Sequence, residues 1–220
     1  MNLSYRDVRH NLFRFILTCL GLSLLLAVVL AMIGIYRGIV VDALTVARNH
    51  HVDLWVVEAN SRGPFAEASK IPGDTREAIA RLDGVVATGA VTYQTIDVIR
   101  AERKSRLFVI GYEPGRLGGP TRIDEGRGIG RSHFEMVADR SSGLSVGDRL
   151  RLGRIDFTVV GLTRNVVASS GDPVIYISLL DAQKLQFDLS PSAARVQSAR
   201  GTQGVSRDTV NAVIAQLSPT

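Results

Sequence analysis

One cysteine in 220 residues, Cys19, cannot form an intrachain disulfide, so any globular part of this chain is held by its apolar core alone. Lysine is almost as scarce: Lys70, Lys104 and Lys184 are the three, and the net charge of +5 comes mostly from dispersed arginines. No run of five or more like charges occurs, which removes the usual signature of a nucleic-acid-binding arm, and no nucleic acid is expected as a partner. The basic balance reads as solvated surface with some attraction to anionic lipid headgroups. No G-x-x-x-x-G-K-[ST] loop is present, so the chain does not itself hold ATP through a phosphate loop. A G-x-S-x-G elbow is missing too, and no histidine is placed to serve as a base for any of the serines.

The most informative absence is that of charge itself. Between Arg14 and Arg37 no charged side chain occurs, from Phe15 to Tyr36. About 22 residues at ~1.5 Å each make a helix of roughly 33 Å, enough to cross a hydrocarbon core of ~30 Å. Backbone amides in lipid must be satisfied within their own segment, so the run is predicted to be helical despite its Val and Ile. It is the only run of this length; one spanning helix, 15–36, followed by one large domain is the expected topology. Cys19 lies inside the span as a small apolar residue. Gly21, Ser23, Ala27 and Gly34 would let another helix approach closely, although glycine is also simply common in membrane helices.

Arg6, Arg9 and Arg14 precede the helix with one acid, Asp7; Arg37 and Arg48 follow it around Asp42. This bias places the N-terminus inside and residues from about 40 onward on the extracytoplasmic side of the cell inner membrane. A cleaved secretory signal is the competing reading, but signal cores run to ~7–15 residues and end at a small-residue cleavage site, whereas this run continues through Val41 without one.

Along the chain, Asn2 to Phe13 spaces Leu3, Tyr5, Val8, Leu12 and Phe13 as a short amphipathic helix on the cytoplasmic surface, giving segment 1–14. Ile39, Val40, Ala43, Leu44 and Ala47 keep the helical period, a stalk over 37–48. Asp53–Glu58 reads as a strand, Asn60–Pro72 as a loop, and Thr75–Leu82 as a helix stopped by Asp83 and Gly84. Val91–Ala101 turns into Leu107–Gly111 as a hairpin. Pro114–Arg131 crowds glycine, proline and arginine and predicts no regular element. Glu135–Asp139 is a short strand, the residues up to Arg151 and from Phe157 to Thr163 form a second hairpin, Val174–Ser178 is a strand, and Leu179–Phe187 a helix opened by Ser178 or Asp181. A strand Ala194–Gln197 and a closing helix Arg207–Leu217 complete an α+β domain.

Nothing in the chain argues for catalysis, a cofactor or a metal: catalytic, cofactor-binding and metal residues are all expected to be none. Gly126, Gly128 and Gly130 are spaced G-x-G-x-G, follow no predicted strand, and read as a structural turn. His50 and His51 are adjacent, so their side chains diverge on a helix and alternate on a strand; only His133 or a carboxylate could complete a site with them. Asp124, Glu125, Glu135 and Asp139 sit among arginines, the pattern of a solvated salt-bridge face.

The whole arrangement resembles the N-terminal half of the MacB and FtsX type of ABC transporter permease. The resemblance is carried by RDVRHNLFRFILTCLGLSLLL at 6–26, DLWVV at 53–57, VIGYEPGRLGGP at 109–120, LSVGDRLRLGRIDFTVVGLT at 144–163 and IYISLLDAQKL at 175–185; DLWVV and the GGP segment are closest in character to the DevC branch. It implies a periplasmic domain in two parts, a porter-like subdomain over 49–113 and 174–220 with a smaller subdomain inserted at 114–173. It further implies a permease homodimer, a separate ABC ATPase subunit as partner, a periplasmic adaptor protein bridging to the outer membrane, and export of a lipid, peptide or drug. Permeases of this type continue with three more spanning helices, so a partial permease is expected. The alternative is a single-pass anchored extracytoplasmic binding module without transport. If the resemblance holds, exposed Arg116, Arg122 and Arg127, with the hairpin at Arg151–Asp156, form a docking face for the adaptor, because recognition concentrates in loops held on a rigid scaffold.

Overall fold

A computed structural model describes residues 12–48, 52–61, 69–100, 103–130, 132–168, 170–189 and 208–218. The chain divides into two compact units, Met1–Thr45 and Val46–Thr220.

The described residues of the first unit are helical, and α1 (Leu12–Arg48) runs without a break through the expected span and stalk. Its stretch Leu12–Gly38 has a mean hydropathy of 2.8 over 27 residues and is long and apolar enough to cross a membrane. Phe13, Met32, Leu22 and Leu30 point about a quarter turn apart and are all exposed, so every side of the helix is apolar and uncovered among the described residues. An all-round apolar helix that no protein covers belongs in lipid, and α1 is a membrane-spanning helix. Thr18 returns its hydroxyl to the carbonyls of Arg14 and Phe15, 3.0 and 2.8 Å away, so its polar atom needs no water. The expected amphipathic segment lies outside the described residues except for Leu12 and Phe13, which belong to α1.

The second unit is built on a nine-stranded sheet. Its strands in chain order are β1 (Leu54–Val56), β2 (Ile71–Pro72), β3 (Val85–Arg100), β4 (Arg103–Tyr112), β5 (Glu125–Gly126), β6 (Glu135–Asp139), β7 (Arg149–Leu152), β8 (Ile155–Thr163), β9 (Val174–Ser178), β10 (Thr209–Val210) and β11 (Ala212–Leu217). Two helices, α2 (Thr75–Ala80) and α3 (Leu179–Leu189), complete it. The sheet runs β1-β11-β3-β4-β9-β6-β8-β5, with β7 paired to β8; β2 and β10 form a separate two-stranded ladder. The β4·β9 and β6·β8 pairs are parallel and the others antiparallel. Residues 114–173 supply β5 to β8, and they join the strands on either side of them in sequence through β6 on β9.

Burial explains the order. β6 is buried at all five positions, between β9 and β8, so its polar ends need partners inside the protein. One apolar cluster gathers Val109, Met136, Leu152, Phe157, Ile175, Ile177 and Leu185. A second gathers Val91, Ile110, Tyr112, Tyr176 and Ile214, with Tyr112 edge-on to Tyr176 at 6.0 Å. A third lies under α2 and the start of α3, from Ile79, Ala90, Leu179 and Val213. Burial raises the pKa of Tyr176, Tyr112 and Tyr93 above the ordinary phenol value, so these rings stay neutral. Ser178 and Asp181 open α3: the Ser178 hydroxyl accepts from the Asp181 amide at 3.1 Å and donates to its carboxylate at 2.6 Å.

The expectation of a closing helix over Arg207–Leu217 is wrong: Thr209–Val210 and Ala212–Leu217 are strands. Val210, Val213, Ile214 and Leu217 satisfy a helical period, but β11 lies between β1 and β3 and buries both faces, so a continuous apolar run suits a strand equally well. The first hairpin strand begins at Val85, six residues before the predicted Val91, with Gly89 in its interior because the carbonyl of Leu117 comes within 2.2 Å of where a Cβ would stand. The stretches read as loops hold β2 and β5, and α2 ends at Ala80 rather than Leu82. The strand expected at Ala194–Gln197 lies outside the described residues.

Candidate functional site

Each of the three arginines proposed for docking is held by a carboxylate. Arg116 follows β4 on a turn and reaches Glu113 at 3.1 Å. Glu113 is shared with Arg76 of α2, which also grips Glu77 at 2.5 Å. Burial opposes the charge on Arg76, but its hydrogen bonds to Glu77 and Glu113 outweigh this and raise its pKa. Arg122 stands 3.4 Å from Asp124, which Arg164 approaches to 2.7 Å from the end of β8. Arg127 binds Glu135 through both terminal nitrogens, at 2.9 and 2.5 Å, and reaches the Gly128 carbonyl at 3.0 Å.

These contacts separate the arginines into two places. The amide of Asp124 bonds to the Leu162 carbonyl and that of Arg127 to the Val160 carbonyl, so the segment bearing Arg122 and Arg127 is strapped along the outer edge of β8. Arg116 belongs instead with Arg76 and Glu113 beside α2. The hairpin β7–β8 turns at Gly153, with Arg151 and Asp156 4.0 Å apart.

The glycine run 126–130 is the means of strapping. Gly126 adopts φ +78° opposite Gly161, and at either position a Cβ would meet backbone at 2.3 Å. The Gly130 amide donates to Glu135 at 2.9 Å. The Arg127 hydrogen bond, aided by that amide and opposed by burial, lowers the Glu135 carboxyl below the ordinary carboxylate range. Of the acids read as a solvated face, Asp124 and Glu125 do pair with arginine, Glu125 with Arg140 at 2.8 Å. Glu135 and Asp139 are buried, which corrects that expectation for both. Asp139 collects the Ser141 amide and hydroxyl, the Thr163 hydroxyl and the Val166 amide, closing the loops at the end of β6.

His133 lies far along the chain from His50 and His51, which fall outside the described residues; its Nδ1 is 3.2 Å from Asp181. Asp181 also accepts the Phe134 amide at 3.1 Å, holding Phe134 at φ +63° with its ring edge-on to Phe157. A cleft of about 310 Å³ opens between α2, the turn after β4 and the start of α3, lined by Asp74, Arg76, Glu113, Ser178, Gln183 and Asp208 among others. It is a mixed-charge recess in which Arg76 pairs with Glu113 and Gln183 donates to the Thr209 carbonyl at 3.1 Å, while Arg76 Nε is buried without a hydrogen-bond partner. The pair Arg76–Glu113 escaped sequence reading because its two members come from different elements, while Asp124 and Asp181 were read only as part of a salt-bridge face and as a helix opener. Only the S-x-x-D spacing of Ser178 and Asp181 carried a local signal.

The family model described as the MacB-like periplasmic core domain matches residues 15–218. An uncharacterized ABC transporter permease of Mycobacterium tuberculosis (strain ATCC 25618 / H37Rv) is 26% identical over 192 residues, covering 87% of this chain and 54% of that protein. Another, of Mycobacterium bovis, is 24% identical over 191 residues with the same coverage. The chain thus spans about half the length of the curated relatives it matches. Among solved structures, the extracellular domain of YknZ, a noncanonic ABC-type transporter from Gram-positive bacteria, superposes with a TM-score of 0.49 at 12% identity, covering 75% of this chain and 82% of that one. The periplasmic region of MacB from Actinobacillus actinomycetemcomitans gives 0.48 at 11% identity, covering 76% and 77%.

Proposed function

Because the chain belongs to the family of MacB-like periplasmic core domains, we propose that it is the anchor and extracytoplasmic part of an ABC exporter permease. The observation that carries this is the match over 15–218, which takes in the spanning helix and the sheet domain as one unit. In this reading the N-terminus is cytoplasmic, the sheet domain faces outward from the inner membrane, and a separate ABC ATPase supplies the energy. ATP-driven motion in a permease homodimer would then move the domain against a periplasmic adaptor, and the cargo is a lipid, peptide or drug. The chain's own part is mechanical. A sheet braced at both ends of β6 by Glu135 and Asp139 transmits force without unfolding, and no step of bond chemistry is assigned to it.

The test is reconstitution of the permease that carries this chain with a co-expressed ABC ATPase subunit. Turnover is expected from the pair and none above buffer from the purified chain. Hydrolysis that stays with the chain alone after ATPase contaminants are removed would overturn the non-enzymatic reading. An ATPase whose rate and recovery ignore the permease would favour the anchored binding module instead.

A further inference from the structure

The far end of the β3–β4 ribbon stands clear of the rest of the sheet. β11 pairs with β3 only as far as Val91, and β9 reaches β4 no further than Phe108, so beyond these residues neither edge carries another strand among the described residues. One face of the ribbon is nevertheless covered: Ile96, Val98 and Leu107 share an apolar cluster with Leu150 and Leu152 of β7, which lies against β3. Side chains alternate along a strand, so Asp97, Ile99, Lys104 and Arg106 make up the opposite face, and all four are exposed. β7 alternates in the same way, burying Leu150 and Leu152 and exposing Arg149 and Arg151. Two hairpins thus clasp one core and turn their polar sides outward.

Those sides are basic. Over 97–106 and 148–156 the sequence holds seven basic residues against four acidic, more than half of the chain's net charge of +5. Little of this is neutralised locally. Arg106 stands 3.4 Å from Asp97 and Arg151 4.0 Å from Asp156, and all four side chains are mostly exposed, so water and salt screen both contacts. Lys104, Arg149 and Arg154 are exposed and have no ion pair among the described residues. Ile99, directly opposite Lys104, is 73% exposed, the most of any large apolar side chain described outside α1. A single exposed isoleucine is ordinary surface, but this one lies on a projecting ribbon end beside unpaired positive charge.

We infer that the joined ends of these two hairpins dock an extended acidic segment of a partner protein, whose carboxylates meet Lys104, Arg149 and Arg154 and whose apolar side chain covers Ile99. Charge complementarity names the sign of the occupant. The exposed acids Asp97 and Asp156 name its class: a lipid or phosphate surface is negative throughout and is repelled there, whereas a polypeptide can set a donor against each acid and a carboxylate against each cation. Packed strand layers stand ~10 Å apart and eight extended residues reach ~25 Å, so one segment can touch both hairpins. The inference uses none of Arg116, Arg122 and Arg127, does not depend on the exporter reading and fails separately from it.

The scarcity of lysine supplies the readout. Acetic anhydride is applied to the full chain in detergent micelles with the peptide acetyl-Glu-Glu-Val-Glu-Glu-Val-Glu-Glu-amide as probe, and modification of Lys70, Lys104 and Lys184 is followed by mass spectrometry. At saturation Lys104 should react about fivefold or more slowly, with Lys70 and Lys184 unchanged. Ile99→Ser should weaken this protection, and Arg149→Glu combined with Arg154→Glu should remove it while leaving Lys104 in place to report; all three substituted positions are exposed, so the fold is kept. Unchanged Lys104 reactivity at millimolar peptide, slowing of all three lysines alike, or full protection in the double variant overturns the site. Equal protection by polyphosphate, or by anionic-lipid nanodiscs without peptide, would mean that a phosphate surface is taken, and protection that rises with protein concentration alone would mean a second copy of the chain; each overturns the proposed occupant.

Discussion

Arg127 and Glu135 are joined by two N–H···O contacts, 2.9 and 2.5 Å, that close the segment before β6 onto the first residue of β6 itself. The carboxylate is buried at the end of a strand with no solvent on either face, while the guanidinium is largely exposed. Losing the arginine therefore strands a buried charge, whereas losing the carboxylate frees a group that water can take. Arg127→Ala is expected to destabilise the domain, because it leaves a buried acceptor without its guanidinium partner, and Glu135→Gln to destabilise it by less. Urea unfolding of the two variants checks the order.

The same pair sets an acid limit. The Glu135 pKa is lower folded than unfolded, so its contribution is fully present above the unfolded value of about 4.3 and is lost as pH falls through the lower folded value. The stability gap between the parent and Glu135→Gln should be constant from pH 7 to about 5 and should close on acidification below about 4. A gap that widens in acid would contradict the assignment.

Docking variants should be chosen accordingly. Charge reversal of Arg116 and Arg122, both on exposed turns, is expected to weaken capture of a periplasmic adaptor while changing stability by less than ~0.5 kcal/mol each. Adding Arg127→Glu should unfold the segment it straps and confuse loss of binding with loss of structure. A pull-down in which the double variant captures adaptor as well as the parent, with unchanged circular dichroism, removes these two residues from the docking surface.

Asp181 ties three elements by accepting from the Phe134 amide and the Ser178 hydroxyl and lying against His133. Asp181→Ala should cost about 2–3 kcal/mol, combining a lost helix-start contact with an unsatisfied amide next to a residue in the left-handed region. Asp181→Asn retains one acceptor oxygen and should cost less, as thermal unfolding of both will show.

Topology is checked in the intact cell. Alkaline phosphatase joined after Thr220 is expected to be active, on the strength of Arg6, Arg9 and Arg14 before the span. An inactive phosphatase with a fluorescent green fusion would reverse the orientation.

The sequence by itself determined whatever depends on near neighbours. An uncharged run from Phe15 to Tyr36 leaves a membrane helix as the one way to satisfy its backbone in lipid, and α1 follows it through to Arg48. Short β-branched runs bounded by turn residues located β6 and β9 to the residue, and the Ser178–Asp181 spacing located the start of α3. Only the tertiary structure decided β11, whose apolar run fits a helix or a doubly buried strand until β1 and β3 are placed on its two sides. It alone decided that β9 enters between β4 and β6, that Asp139 closes loops as far off as Val166, and that β3 runs on beside β11 past the end of β4 to Val85. Pairing of this kind joins groups far apart in sequence, and local periodicity holds no record of which edge meets which.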